Sequence, residues 1–307
     1  MRLKCFMLIL LLRLAMGAWG QDVTGAVRKE LVFASDTQAP QWVETILRKP
    51  NNNRTATKMI FGDIAKRLPA AVYILGDVVS LGCSNKPWKP MDGYLDTLRH
   101  KGVKVHAALG NHEVMYCAKS GQQKFQQRFP DHVKTGYVST VDSVAVVLLN
   151  SNFKKLSDAD DAAQRSWYQH TLDSLNADPA VVFIISGCHH SPYSNSKVVG
   201  SCQAVQEKLV PPFLSSKKSR LFLSGHSHNY EHFRQQEKDF VVIGGGGGLH
   251  QPLNVGKDAL PDLSLGCKPM FHYLSIRRHA HILQLTSVLL KPDFSGFEEG
   301  ERFVVGF

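Results

Sequence analysis

The chain lacks the marks of several large protein classes. Beyond its first twenty residues it has no apolar run of the roughly 20 residues that a membrane-spanning helix needs. No run of five Lys or Arg occurs, and Lys154-Lys155, Lys217-Lys218 and Arg277-Arg278 are only pairs, so no nucleic-acid platform is marked. No internal period is present, which excludes solenoids and coiled coils. The run Gly244 to Gly248 is not followed by Lys-Ser/Thr and a helix, so it is not a Walker-type phosphate loop. A tight loop admitting the close approach of other chain segments is the favoured reading, with His250 beyond it as a further candidate substrate contact. Cysteine is scarce, six residues in 307.

What is present suffices for a large core, since 43% of the residues are hydrophobic and 20% charged. Arg2, Lys4 and Arg13, with no acid near them, account for three of the formal +10 charges and leave +7 on the rest, a surface suited to anionic substrates. Residues 1–20 read as a secretory signal peptide: a basic start, an apolar stretch from Cys5 to Leu12, and Ala18-Trp19-Gly20 as the cleavage site. The expected product is one domain over residues 21–307, secreted or periplasmic, with no transmembrane segment. Five cysteines remain in it, Cys83, Cys117, Cys188, Cys202 and Cys267. An oxidising compartment permits two disulfides, and Cys83 with Cys117 and Cys188 with Cys202 follow if the loops they flank converge. The alternative is five reduced, buried thiols. Asn53-Arg54-Thr55 is a glycosylation sequon if the source is eukaryotic.

Short apolar runs, each ending in polar residues, organise the chain: Leu31 to Ala34 before Ser35-Asp36, Ala71 to Leu75 before Gly76-Asp77, and Val103 to Leu109 before Gly110-Asn111-His112. Val181 to Ile185 precede His189-His190, and Leu221 to Leu223 precede Gly225-His226-Ser227-His228. Such runs fit strands buried on both faces. Helical spacing predicts helices over Trp42 to Leu47, Ala56 to Leu68, Tyr94 to His100, Ala162 to Leu175 and Gln203 to Leu209. Later segments read as strands without intervening helices: Val138 to Leu149, Phe240 to Ile243, and Tyr273 to Val288 broken near Arg277 to His279. The pattern predicts an α/β sandwich with mixed sheets whose ligand site lies beyond the carboxyl ends of the strands.

That end is where the chemistry collects. A phosphoester hydrolase needs cations to neutralise phosphoryl oxygens, an attacking hydroxide and a proton for the leaving group; two metals about 3.5 to 4 Å apart supply the first two. Asp36, Asp77, Asn111, His190, His226 and His228 all follow predicted strands and mix hard oxygen with imidazole nitrogen donors.

Asp36-x-Gln38, Gly76-Asp77, Gly110-Asn111-His112-Glu113, His190-x-Pro192 and Gly225-His226-x-His228 together resemble the ordered signature of calcineurin-like metallophosphoesterases. Asn150-Ser151-Asn152, Gln164 to Trp167, Tyr230 and Glu231 are similar to the purple acid phosphatase branch. The resemblance runs over roughly Leu31 to Gly248 and implies a four-layer αββα sandwich of two mixed β-sheets. It implies two divalent cations, of Zn, Mn or Fe, with Asp77 bridging, Asp36 and His228 on the first, and Asn111, His190 and His226 on the second. His112 becomes the substrate-contacting acid. Glu113 either orients it or starts a helix, and His189 stands behind the ligands, donating to phosphate or to a carbonyl. Tyr193 and Tyr230 read as packing aromatics.

Two positions depart from the family pattern. Gln38 stands where His or Gly is usual, a neutral amide that ligates more weakly than imidazole, and Ser80 stands where purple members carry Tyr. The expectation is a colourless divalent pair whose first site is the looser. The activity implied is hydrolysis of small phosphomonoesters by in-line attack of a hydroxide held between the cations. A diesterase or nuclease on the same fold, and a metal-binding module without turnover, are the alternatives. Ser80 to Pro90 and Ser194 to Cys202 read as specificity loops.

Overall fold

The computed structural model describes residues 30–264 and 269–307, so the proposed signal peptide and Cys267 lie outside the described residues. Continuous apolar runs become the central strands. β1 (Leu31–Ala34) pairs in parallel with β2 (Ala71–Leu75), and β2 with β3 (Lys104–Ala108). A second sheet holds β4 (Tyr137–Val141), β5 (Val144–Leu148), β6 (Phe183–Gly187), β7 (Ser219–Ser224), β8 (Tyr230–Gln235) and β9 (Lys238–Ile243) in the order β4-β5-β6-β7-β9-β8. β10 (His272–His279), β11 (Ile282–Leu290) and β12 (Phe297–Gly306) return to the first sheet, whose order is β12-β11-β10-β1-β2-β3. Both sheets mix parallel and antiparallel neighbours.

Strand alternation sorts the core into three layers. From β1, Leu31 and Phe33 face the second sheet, where they join Val146, Leu148, Ile185 and Leu223. Val32 and Ala34 point the other way, onto helices α2 (Asn53–Arg67), α3 (Asn85–His100) and α5 (Ala118–Arg128). The outer face of the second sheet is covered by α6 (Asp158–Ala177), α7 (Gln203–Lys208) and α8 (Val210–Ser215). The expected four-layer αββα sandwich is the fold. α2 seats Ala56, Ile60, Phe61 and Ile64 on one stripe, and α6 starts at Ser157, whose hydroxyl accepts the Asp160 N–H ahead of three first-turn acids.

The sequence reading needs several corrections. Val138 to Leu149 is two strands, turned at Asp142 and Ser143, both at positive φ (46° and 62°) as tight hairpins require. The later hairpin turns at Ala280 rather than within Arg277 to His279. Part of the stretch read as a specificity loop is helical, because α3 begins at Asn85 on a Ser84 cap and carries Pro87 in its first turn. α5, β8 and β12 were not foreseen.

Cys83 and Cys117 form the expected disulfide between the loop after β2 and the start of α5. Cys188 and Cys202 are not joined: Cys188 is a buried thiol among Val205, Phe213 and Phe222, and Cys202 caps α7. The sequon asparagine is also committed elsewhere. Asn53 is buried, and its side-chain amide donates to the carbonyls of Gly247 and Gly248 at 2.8 and 2.9 Å, so the nitrogen a glycan would take is in use.

Candidate metal centre

Five loops converge where the carboxyl ends of β1, β2, β3, β6 and β7 meet at one rim of the sandwich. Asp36, Asp77 and His226 each hold left-handed backbone, with φ of 57°, 48° and 66°. Non-glycine residues adopt that region at a cost and concentrate in functional loops. Each conformation is held by neighbours. The Asp36 N–H donates to Gly76 O, and the His226 N–H donates to Asp36 Oδ2 at 2.8 Å. Glu113 opens the short helix α4 (Asn111–Val114); its carboxylate accepts the N–H groups of Asp77, Val79 and Gly110 at 2.9 to 3.1 Å. Of the two roles considered for Glu113, the helix-start role is the one its hydrogen bonds fill: it ties three loop amides together and closes a capping box with Gly110, while its charge also acts on His112.

Asp77 is the centre. Its Oδ1 accepts the His112 N–H at 2.8 Å, while Oδ2 lies 3.2 Å from His189 Nε2 and 3.7 Å from His112 Nε2. Burial pushes its pKa upward, but the charges of His189 and His112 outweigh that and hold the carboxyl well below the usual range. The possible ligand atoms of Asp36, Asp77 and His189 lie within 4.8 Å of one another, as do those of His189, His190 and His226. Asp36, Asp77, His190 and His226, of the residues singled out for the centre, thus fall into these two groups. His189, expected behind the ligands, belongs to both groups.

Ring hydrogen bonds orient the histidines. His189 Nδ1 donates to Leu75 O at 2.9 Å and His228 Nδ1 to Leu249 O at 2.6 Å, which turns the Nε2 edge of each ring to the centre. His189 Nε2 then meets Asn111 Oδ1 at 2.9 Å and His226 Nδ1 at 3.2 Å, two further acceptor-capable atoms. Burial depresses the His189 pKa, yet the Asp77 charge raises it to about 9, because a proton there relieves this crowding. His190 is anchored by Ser151, whose Oγ lies 2.8 Å from Nδ1, and burial together with His189 pushes its pKa down to about 3.

On the opposite side His228 Nε2 sits 3.4 Å from Asp36 Oδ1 and 3.4 Å from Gln38 Nε2. Asp36 Oδ1 and Gln38 Oε1 are buried without any hydrogen-bond partner. Buried acceptors are normally satisfied, so two unpartnered oxygens here, with Asp36 Oδ1 beside the His228 imidazole, fit a bound cation.

His112 lies at the edge of the centre, its Nδ1 donating to Ser80 O at 2.9 Å, with Gln41 beside it donating to the same carbonyl. Burial lowers its pKa, but the Asp77 charge and the Ser80 carbonyl raise it on balance. Tyr193 packs on Phe240 and Tyr230 on His272, as expected of packing aromatics. His250 is turned against Phe271 rather than brought to the centre. The glycine run is a close-approach loop: a Cβ on Gly247 would lie 2.0 Å from Thr57 Oγ1, and one on Gly248 2.4 Å from the His228 ring. Gln41 and Thr57 were missed by sequence reasoning, since single hydroxyls and amides carry no pattern, and Ser151 was noted only within the Asn150-Ser151-Asn152 stretch, without its role of holding His190.

Residues 30–230 match the calcineurin-like phosphoesterase family, and the chain belongs to that family. Among solved structures it is similar to a purple acid phosphatase from yellow lupin seeds, with TM-score 0.69 and 17% identity over 91% of this chain. It spans about half of that protein, 53% of its length. GAP50, the anchor in the inner membrane complex of Plasmodium, matches with TM-score 0.63 and 17% identity, covering 89% of each chain. A dimetal phosphatase from Danio rerio matches with TM-score 0.56 and 13% identity, covering 91% of this chain and 99% of that one. No curated protein sequence matches the chain.

Proposed function

We propose that the protein is an exported, dinuclear metal-dependent phosphoesterase acting on small phosphomonoesters. The observation that carries this reading is the convergence of Asp36, Asp77 and His189, and of His189, His190 and His226, within 4.8 Å of one another, with the buried Asp36 Oδ1 and Gln38 Oε1 left without a hydrogen-bond partner beside them. Asp36, Gln38 and His228 would hold one cation, Asn111, His190 and His226 the other, with Asp77 between them and His189 beside it. When bound, the two cations neutralise phosphoryl oxygens and make water acidic enough to attack at neutral pH.

The protein's own residues do the rest. The β1 and β2 loops fix Asp36 and Asp77 through backbone amides, so the donors are in place before substrate arrives, which favours positioning over rearrangement. His112, held by Ser80 O with Nε2 directed toward the centre, can carry a proton at Nε2 to the departing oxygen. The Cys83–Cys117 disulfide supports export, and among the described residues no helix is long and apolar enough to cross a membrane.

Elemental analysis of the purified protein with a panel of phosphomonoesters and diesters tests the reading. Two bound metals and monoester turnover are expected. Two metals without turnover would make the protein a binding module, and turnover confined to diesters would move the substrate class.

A further inference from the structure

A cavity of about 510 Å³ opens beside the metal centre, between the first half of α2 and the first half of α3. Its inner end is formed by Gln38 and Ser80. These are the two positions at which the sequence departs from the family pattern, and both belong to the centre as well: Gln38 through its approach to His228, Ser80 through the carbonyl that holds His112. The cavity therefore adjoins the metal centre through these two residues.

Its walls are largely apolar, supplied by Val79, Met91 and the Tyr94 ring, which is stacked on Phe61 at 5.2 Å and so held in one orientation. Its outer rim carries Arg54, Lys58 and Lys86. All three are exposed, none forms an ion pair among the described residues, and no Asp or Glu is among the described residues lining the cavity. An apolar floor with convergent charges of one sign is built for an amphipathic ion. Cations without local carboxylates attract an anion of matching reach and repel a second cation.

Resting on the phosphoesterase reading, we propose that this cavity is the leaving-group subsite. It selects phosphate esters whose organic part is an apolar or aromatic body bearing a second anionic group, a carboxylate or another phosphate. The phosphoryl group occupies the metal centre, the body lies against Met91 and Tyr94, and the second anion reaches Arg54 and Lys86.

The test compares phenyl phosphate with 3-carboxyphenyl phosphate, two esters that differ by one remote charge, using the full-length metal-loaded protein and the double variant Arg54→Glu/Lys86→Glu. The expected result is a kcat/KM at least about tenfold higher for the carboxylated ester, through KM rather than kcat, and collapse of that ratio toward one in the double variant. Equal kcat/KM for the two esters in the unmodified protein, or an unchanged ratio in the variant, overturns the proposal while leaving the phosphoesterase reading intact. Should neither ester be hydrolysed, that reading fails, and calorimetric titration with 3-carboxyphenyl phosphate judges the cavity separately. Saturable binding weakened by the double variant supports an anion subsite, and no binding, or binding indifferent to the variant, overturns it.

Discussion

Two groups of buried histidines belong to the second sheet, and they are built on opposite plans. His232, on β8, is gripped between two carboxylates, with Nε2 2.8 Å from Asp239 Oδ1 and Nδ1 3.2 Å from Glu301 Oε1. Burial lowers its pKa, but those two bonds raise it to about 9, so the group is complete with a proton of its own. At the rim, His189, His190 and His226 face one another, ring centroids 4.5 to 5.0 Å apart, and two of the three are pushed below the ordinary range by burial and by each other. The two rings pushed downward stay neutral and offer lone pairs rather than charge, while His189 is held by Asp77. The first arrangement is a structural ion-pair network; the second leaves room in its electrostatics for cations.

The strongest way to break this contrast is Asp77→Ala, the substitution that takes the shared carboxylate from the rim. Turnover should fall at least about 1,000-fold while circular dichroism stays native; a variant keeping a tenth of the activity would show that Asp77 does not link the two halves. Next in size is His232→Ala, which takes the imidazolium from Glu301 and Asp239 and leaves Asp239 with Arg234 alone; it should cost on the order of 3 kcal/mol in urea denaturation with kcat unchanged. The pH dependence has a defined sign. Because the folded pKa, about 9, lies above the ordinary 6.5, this contribution is fully present below pH 6.5 and is lost as pH rises through about 9. The gap in unfolding free energy between wild type and His232→Ala should narrow across that window, by at most about 3 kcal/mol.

Removing bound metal with a chelator should lower the unfolding free energy by about 2 to 3 kcal/mol in both the wild type and His232→Ala, because the proposed reading places the cations at the rim. A larger loss in the variant would couple the two clusters. The smallest expected effect separates the halves of the rim itself. Titration of the metal-free protein should resolve a tighter and a looser class, and Gln38→His should tighten the looser one about tenfold. Two equally tight classes in the unmodified protein would contradict a weak amide donor at Gln38.

The legible parts of the molecule were those where one physical demand acts on consecutive residues. β1 and β2 fall at Leu31–Ala34 and Ala71–Leu75, the bounds read from the sequence, because strands covered on both faces must be apolar at every position. The metal donors were legible because each follows such a strand at once. α5 was not: of its eleven residues only Gly121 and Phe125 are buried, so no apolar stripe announces it. β12 is an edge strand with Glu298, Glu299, Glu301 and Arg302 along it, a composition that reads as solvated loop. The rank of His189 against His190 was hidden for a different reason. How each of the two adjacent rings is oriented is set by the Leu75 carbonyl and the Ser151 hydroxyl, both far away in the chain.

Three of the residues that define the rim, Asp36, Asp77 and His226, sit in left-handed backbone that a free chain seldom visits, at about 1 to 3 kcal/mol each. Short peptides copied from these loops would relax out of that shape and retain almost no affinity for cations. Grafting the ligands onto another scaffold would require importing the strands beneath them, so the centre is inherited only with the whole sandwich.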